Sequence, residues 1–174
     1  MNLLDAVSLI KHNSIAEKAN ASWADLGCGS GLFTYALANL LQSGSSIVAI
    51  DKTVTSLQKF SNPQNITVHT KQLDFVKDPL PFHNLDGILM ANSLHFVADK
   101  INFIDSIGKT LSAKGFFLIV EYDTDKSNRW VPFPVSSKSL QALFAKAGHV
   151  SFIKLNEMPS LYNTSNIYAA IIKK

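Results

Sequence analysis

Apolar residues along this chain keep two alternating rhythms. Short runs rich in branched aliphatic side chains recur at Ser22 to Leu26, Ile47 to Ile50, Ile66 to Lys71, Leu85 to Asn92, Phe116 to Val120, His149 to Leu155 and Ile167 to Ile172. Each is strand-length and bounded by turn formers, as expected of strands buried in a sheet. Between them, apolar positions return every three or four residues, the spacing of one helix face. Leu3, Val7, Ile10 and Ile15 mark a lead-in helix reaching about Lys18, and a second helix spans about Gly31 to Leu41, closed by Ser43-Gly44. Asp99 caps a helix whose face is Ile101, Ile104, Ile107 and Leu111, with Leu111 to Gly115 as its end and glycine stop. Ser136 or Ser137 starts another through Leu140, Leu143, Phe144 and Ala147, ending at Gly148. A short helix is expected near Thr53 to Phe60, while Lys77 to Asn84, with two prolines, is expected to be irregular. Strands alternating with helices imply parallel pairing, right-handed crossovers and helices on both faces. The expectation is a doubly wound α/β fold in one domain over residues 1–174, with 1–20 as helical lead-in.

The first strand runs into Asp25-Leu26-Gly27-Cys28-Gly29-Ser30-Gly31. Glycine loses backbone entropy on folding and packs nothing, so three at alternate positions make sense only where a positive φ is needed or a side chain would block a bound molecule. The dinucleotide fingerprint G-x-G-x-x-G is not met, because its third glycine position holds Leu32. Asp25, two residues before the first glycine, would repel a pyrophosphate but attract an ammonium group in a partly dry cleft. Two further acids stand at the ends of the next strands. Asp51 lies about 20 residues beyond the loop, where a carboxylate can accept from the ribose hydroxyls of an adenosine, and Asp74-Phe75 follows the third strand.

On these residues the chain resembles the class I S-adenosylmethionine-dependent methyltransferases, whose first motif runs D-x-G-x-G-x-G. The similarity spans about Trp23 to Val120 at motif level, with the glycine loop as its specific part. It implies S-adenosylmethionine as cofactor, held by Asp25, Gly27, Gly29, Gly31 and Asp51, by Asp74 on the adenine amino group, by Phe75 on the ring and by Asn92 on the methionine portion, with no metal ligand among them. It also implies a seven-stranded sheet of order 3-2-1-4-5-7-6 whose last strand is antiparallel.

Composition narrows the acceptor. At 174 residues and 47% hydrophobic, the chain can bury one large core. Its 16 lysines and arginines are scattered and leave a net charge of only +3, so no basic patch tracks phosphates and nucleic acid is not expected as a partner. The [DNS]-P-P-[YFW] signature of methyltransferases that modify base amino groups is replaced by Ala91-Asn92-Ser93-Leu94. Cys28 is the one cysteine, so no internal disulfide can form, and between two glycines it reads as a small filler rather than a nucleophile. The apolar opening carries Asp5 and lacks a basic leader, so neither a signal peptide nor a membrane anchor is expected and the cytoplasm is the expected compartment.

Methyl transfer depends on placement more than on a catalytic signature. Where the acceptor must lose a proton, His95, just past the fourth strand, and Glu121, at the end of the fifth, are the expected bases, with Tyr122 and Asp123 as lesser candidates. The long connection Asp123 to Val135 carries the one arginine, Arg129, and Trp130, a possible anion clamp and apolar wall. A small-molecule acceptor is expected. The alternative is a regulatory or partner-binding domain that keeps the cofactor pocket without turnover. The acceptor side, lacking any inserted cap, can be completed by the lead-in helix, a large substrate, a second copy of the chain or a partner subunit.

Overall fold

The computed structural model describes residues 1–53, 56–160 and 165–174. Helix α1 (Leu3–Ile10) opens the chain and is followed by β1 (Ser22–Leu26), α2 (Leu32–Ala38), β2 (Ser46–Asp51), β3 (Thr67–Gln72), β4 (Leu85–Ala91), α3 (Lys100–Gly108), β5 (Leu111–Tyr122), α4 (Ser137–Lys146), β6 (Ser151–Pro159) and β7 (Asn166–Lys173). The seven strands form one sheet in the order β3-β2-β1-β4-β5-β7-β6. The five strands from β3 to β5 pair in parallel, and β7 runs antiparallel to both neighbours. This is the doubly wound α/β fold expected, with the implied strand order.

Alternation along the central strands explains the layers. Trp23, Leu89, Phe116, Leu118 and Val120 point to the side covered by α1 and α2, where they join Leu9, Ile10, Phe33 and Leu37. Ala24, Leu26, Ile88, Met90, Phe117 and Ile119 point to the other side and meet Ile104, Ile107, Leu140 and Phe144 of α3 and α4. Asp25, between Ala24 and Leu26, is thereby turned under α2, a placement that governs the site described below.

Several boundaries depart from the sequence expectation. The lead-in helix stops at Ile10 with Lys11 extended at φ −63° and ψ 122°, and a single 3-10 turn (Asn13–Ile15) then buries Ile15. Leu111 is not the last residue of the α3 face but the first of β5, paired with Leu85. Gly115 is no helix stop. It lies inside β5, where a Cβ would sit 2.5 Å from the Leu85 carbonyl oxygen beside a register shift between Leu85 and Gly87. Of the short helix expected at Thr53 to Phe60, Val54 and Thr55 lie outside the described residues and 56–60 are irregular. β6 runs on to Pro159 because β7 supplies a partner along that length.

One glycine in the sheet is dictated by packing. A Cβ on Gly87 would stand 2.3 Å from Cζ3 and 2.4 Å from Cη2 of the buried Trp23 ring. Gly87→Ala must therefore displace an indole wedged between sheet and helix, and should destabilise the protein by about 2–3 kcal/mol, read as a lower urea midpoint with the slope unchanged.

Candidate functional site

The carboxyl ends of β1, β2, β3 and β4 open onto one cavity of about 640 Å³, lined among others by Asp25, Gly27, Gly29, Asp51, Asp74, Phe75 and Asn92. Pockets that hold drug-sized ligands run from about 300 to 1,000 Å³. Strand order reverses between β1 and β4 here, the place where ligands of open α/β sheets lie.

The glycine loop is pinned by its own backbone. The amides of Gly27 and Cys28 both donate to the Ile50 carbonyl, at 2.8 and 2.9 Å, and Gly31 donates to the Cys28 carbonyl at 2.9 Å. All three glycines have positive φ, at 83°, 51° and 91°, where a side chain is strained. Their surroundings differ. A Cβ on Gly27 would come 2.6 Å from Cβ of Ser93, and one on Gly31 3.1 Å from Leu57. A Cβ on Gly29 meets nothing within 4 Å. Gly27 and Gly31 thus serve the protein's own packing as well as its turn, whereas Gly29 leaves bare backbone facing open space.

Asp25 is 1% exposed, and its Oδ2 accepts a 2.6 Å hydrogen bond from the Thr34 hydroxyl of α2. Its Oδ1 is buried and has no hydrogen-bond partner. Burial raises its pKa to about 7; the Thr34 hydrogen bond acts in the opposite sense, and the nearby Asp51 charge adds to the rise. A carboxylate held this way is costly alone and strongly attractive to a cation. Asp51 crosses the cleft to accept from the Gly29 amide through Oδ2 at 3.0 Å, while its Oδ1 accepts from the Thr53 amide and hydroxyl. It thereby ties the tip of β2 to the loop after β1.

Asp74 and Phe75 form the adjoining wall. Asp74 accepts from the Val76 amide through Oδ1, and Phe75, half-buried, packs toward Phe103 at 5.9 Å between ring centroids. Asn92 takes a left-handed backbone, φ 53°, while its amide continues the sheet ladder to the Val120 carbonyl at 2.8 Å. Its side-chain Oδ1 is a second buried acceptor without a partner. Such strain in a non-glycine residue clusters at functional sites.

The expected proton acceptors are brought together but not to the cavity. His95 is 3% exposed and Glu121 is fully buried. Glu121 accepts from the His95 amide at 3.1 Å through Oε1, and its Oε2 lies 2.8 Å from His95 Nδ1, the geometry of a donating Nδ1–H. Neither lines the cavity. The pair clamps the turn after β4 onto the end of β5. Arg129 and Trp130 also stand apart: Trp130 is 76% exposed with the guanidinium 5.7 Å from its ring, and neither reaches the cavity wall. Residues without a sequence signal complete the site: Leu32, Phe33, Val76 and Phe96 in the wall, and Thr34, which holds Asp25 from nine positions away.

The family model described as "Methyltransferase domain" matches residues 24–117, just over half of the chain. The chain therefore belongs to the methyltransferase domain family and is, by class, an S-adenosylmethionine-dependent methyltransferase. Similar solved structures include a SAM dependent methyltransferase from Aquifex aeolicus (13% identity, all of both chains, TM-score 0.63). Another is the Burkholderia thailandensis 1,6-didemethyltoxoflavin-N1-methyltransferase with bound 1,6-didemethyltoxoflavin and S-adenosylhomocysteine (16% identity, 99% of this chain and 77% of that one, TM-score 0.69). A third is human N-acetylserotonin methyltransferase in complex with SAM (20% identity, 98% and 51%, TM-score 0.66). No curated protein sequence matches the chain significantly.

The Asp25 carboxyl makes stability depend on pH. Its pKa rises on folding from the ordinary 3.8 to about 7, so between these values the folded state binds the extra proton and this group's contribution weakens as pH rises. Without ligand, the wild-type protein should lose stability relative to Asp25→Asn by a few kcal/mol between about pH 4 and about pH 7, and no further above that, measured by denaturant unfolding at a series of pH values.

Proposed function

We propose that this protein transfers a methyl group to a small molecule, with Asp25, Gly27, Gly29, Gly31, Asp51, Asp74, Phe75 and Asn92 holding S-adenosylmethionine. One observation carries this assignment: buried Asp25, whose Oδ1 has no hydrogen-bond partner, is among the residues lining a cavity beside Gly29, where an added Cβ would meet nothing within 4 Å. An orphaned buried carboxylate oxygen fits an ammonium group and does not fit a phosphate. Asp51 receives the ribose hydroxyls, Asp74 and Phe75 the adenine, and Asn92 the methionine portion. When bound, S-adenosylmethionine would supply an electrophilic methyl carbon on a positively charged sulfur, a group open to displacement by an acceptor's electron pair.

What the chain itself does is place groups and keep water out. The Asp51 bond to Gly29 holds the loop open, and Leu32, Phe33 and Phe96 line the cavity with apolar surface. His95 and Glu121 enter this reading as positioning residues. They fix the turn that carries Asn92 and Ser93, and Ser93 Oγ in turn donates to the Leu26 carbonyl at 2.6 Å. A nucleic acid acceptor is disfavoured by the scattered lysines. No helix among the described residues is long and apolar enough to cross a membrane. The cytoplasmic location belongs to the same reading and rests on the single cysteine, which suits a reducing compartment. The second reading, a cofactor-binding domain without turnover, draws on one fact: neither expected base lines the cavity.

Isothermal titration tests the donor site. S-adenosylhomocysteine should bind and NAD should not, and Asp51→Ala should weaken binding at least about tenfold, the loss of charge-assisted hydrogen bonds of roughly 1.5–3 kcal/mol. Because the ammonium pairs with ionised Asp25, affinity should rise about tenfold from about pH 5.5 to about pH 7, and Asp25→Asn should flatten that profile. Binding of NAD alone would defeat the assignment. Binding of S-adenosylhomocysteine with no methyl transfer to any acceptor would select the second reading.

A further inference from the structure

The connection from β5 to α4 turns some of its apolar residues inward and others out. Val131 and Val135 are buried, while Trp130 and Phe133 between them are exposed. Pro132 and Pro134 stiffen this stretch by fixing φ, and the Asn128 side chain accepts from the amides of Trp130 and Val131 at 2.8 and 2.9 Å. The outward aromatics therefore sit on a fixed frame. Apolar residues exposed singly are ordinary, but these have exposed apolar neighbours. The Phe133 amide donates to the His95 carbonyl at 3.0 Å, which brings the loop beside Phe96. The Lys100 ammonium lies 5.6 Å from the Phe133 ring, and exposed Ile101 follows it in α3. Phe96 also lines the cavity at the strand tips, so this apolar rim borders that cavity.

We propose that the rim of Phe96, Ile101, Trp130 and Phe133 is a membrane-contacting surface, seated among the headgroups of a bilayer that contains anionic lipid. The contact is peripheral, with no segment crossing the bilayer, and it stands independently of the methyltransferase reading above.

Charge selects this occupant. Lys100, Lys126 and Arg129 border the aromatics, and none of them forms an ion pair among the described residues. The acids of the same region are engaged elsewhere. Asp99, Asp123 and Asp125 accept from the amides of Asn102, Ser137 and Ser136 at the starts of α3 and α4, at 3.2, 2.8 and 2.9 Å, and Asp123 also holds Lys154. Glu121 is buried against His95. Cations left beside exposed tryptophan and phenylalanine match a boundary that is anionic outside and apolar beneath, and tryptophan, an apolar ring with one N–H, favours that boundary. A second copy of the chain meeting this rim through a twofold axis would bring the same cations together. A nucleic acid strand would need a basic groove along its phosphates, and the remaining lysines are scattered.

Fluorescence reads the contact directly, because the chain has two tryptophans and Trp23 is shut in the core. The full chain is titrated with vesicles of phosphatidylcholine alone and of phosphatidylcholine mixed with phosphatidylglycerol. With the mixed vesicles only, emission should move to the blue and the protein should sediment, and high salt should reverse both effects. Trp130→Ser should weaken sedimentation at least about tenfold, and Lys126→Glu with Arg129→Glu should do the same. These side chains are exposed, so the variants should keep the wild-type urea midpoint and the wild-type affinity for S-adenosylhomocysteine. Equal binding to both kinds of vesicle, binding to neither, or sedimentation that survives Trp130→Ser would overturn the proposal. So would a blue shift produced without lipid, by raising the protein concentration or by adding a single-stranded oligonucleotide.

Discussion

The hydrogen bond from Thr34 to Asp25 organises this molecule. It satisfies one oxygen of a carboxylate that strand alternation has forced under a helix, and leaves the other buried without a partner. In a medium that solvates charge poorly, that arrangement raises the pKa of the group to about 7, so the carboxyl relieves its cost by holding a proton. The sheet order, the loop and the helix start all bear on the same point. β1 is central, so its tip is dry; Gly31 caps α2 in a left-handed conformation, so the helix begins close enough for Thr34 to reach back.

Around that centre the site divides into backbone and side-chain roles. Gly29 contributes absence, since a side chain there would meet nothing, and Asp51 fixes its backbone by accepting from its N–H. Further along, Glu121 and His95 do comparable work out of sight of any ligand. A buried pair of this kind adds little net stability against an apolar replacement, but it specifies one geometry for the turn it anchors.

The sequence was most legible where one residue's role follows from local rules. β1 runs from Ser22 to Leu26 as its apolar run predicts, the caps at Asp99 and Ser136 fall where their side chains can reach backbone amides, and the glycines of the loop all need positive φ. Legibility failed where tertiary pairing overrides pattern. Leu111 continues a helical spacing from Ile107, yet a partner at Leu85 draws it into β5. His95 and Glu121 looked like reactive groups because they stand at strand ends, and only their mutual contact shows that they turn to each other. Thr34 carries no sequence signature, since its reach to Asp25 depends on helix orientation, and the left-handed backbone of Asn92, a residue the resemblance did single out, depends on a corner in the sheet.

A smaller cavity adjoins the one at the strand tips, and the two draw on different stretches of polypeptide. The larger is walled between Asp25 and Phe96, the smaller mainly by α1 and the β6–β7 pair, and they meet at Leu32, Phe33 and Asn92. A substitution in the outer segments can therefore alter the smaller space without touching the wall of the larger one, except at the three residues they share. Such modular construction lets a single scaffold diversify without rebuilding its centre.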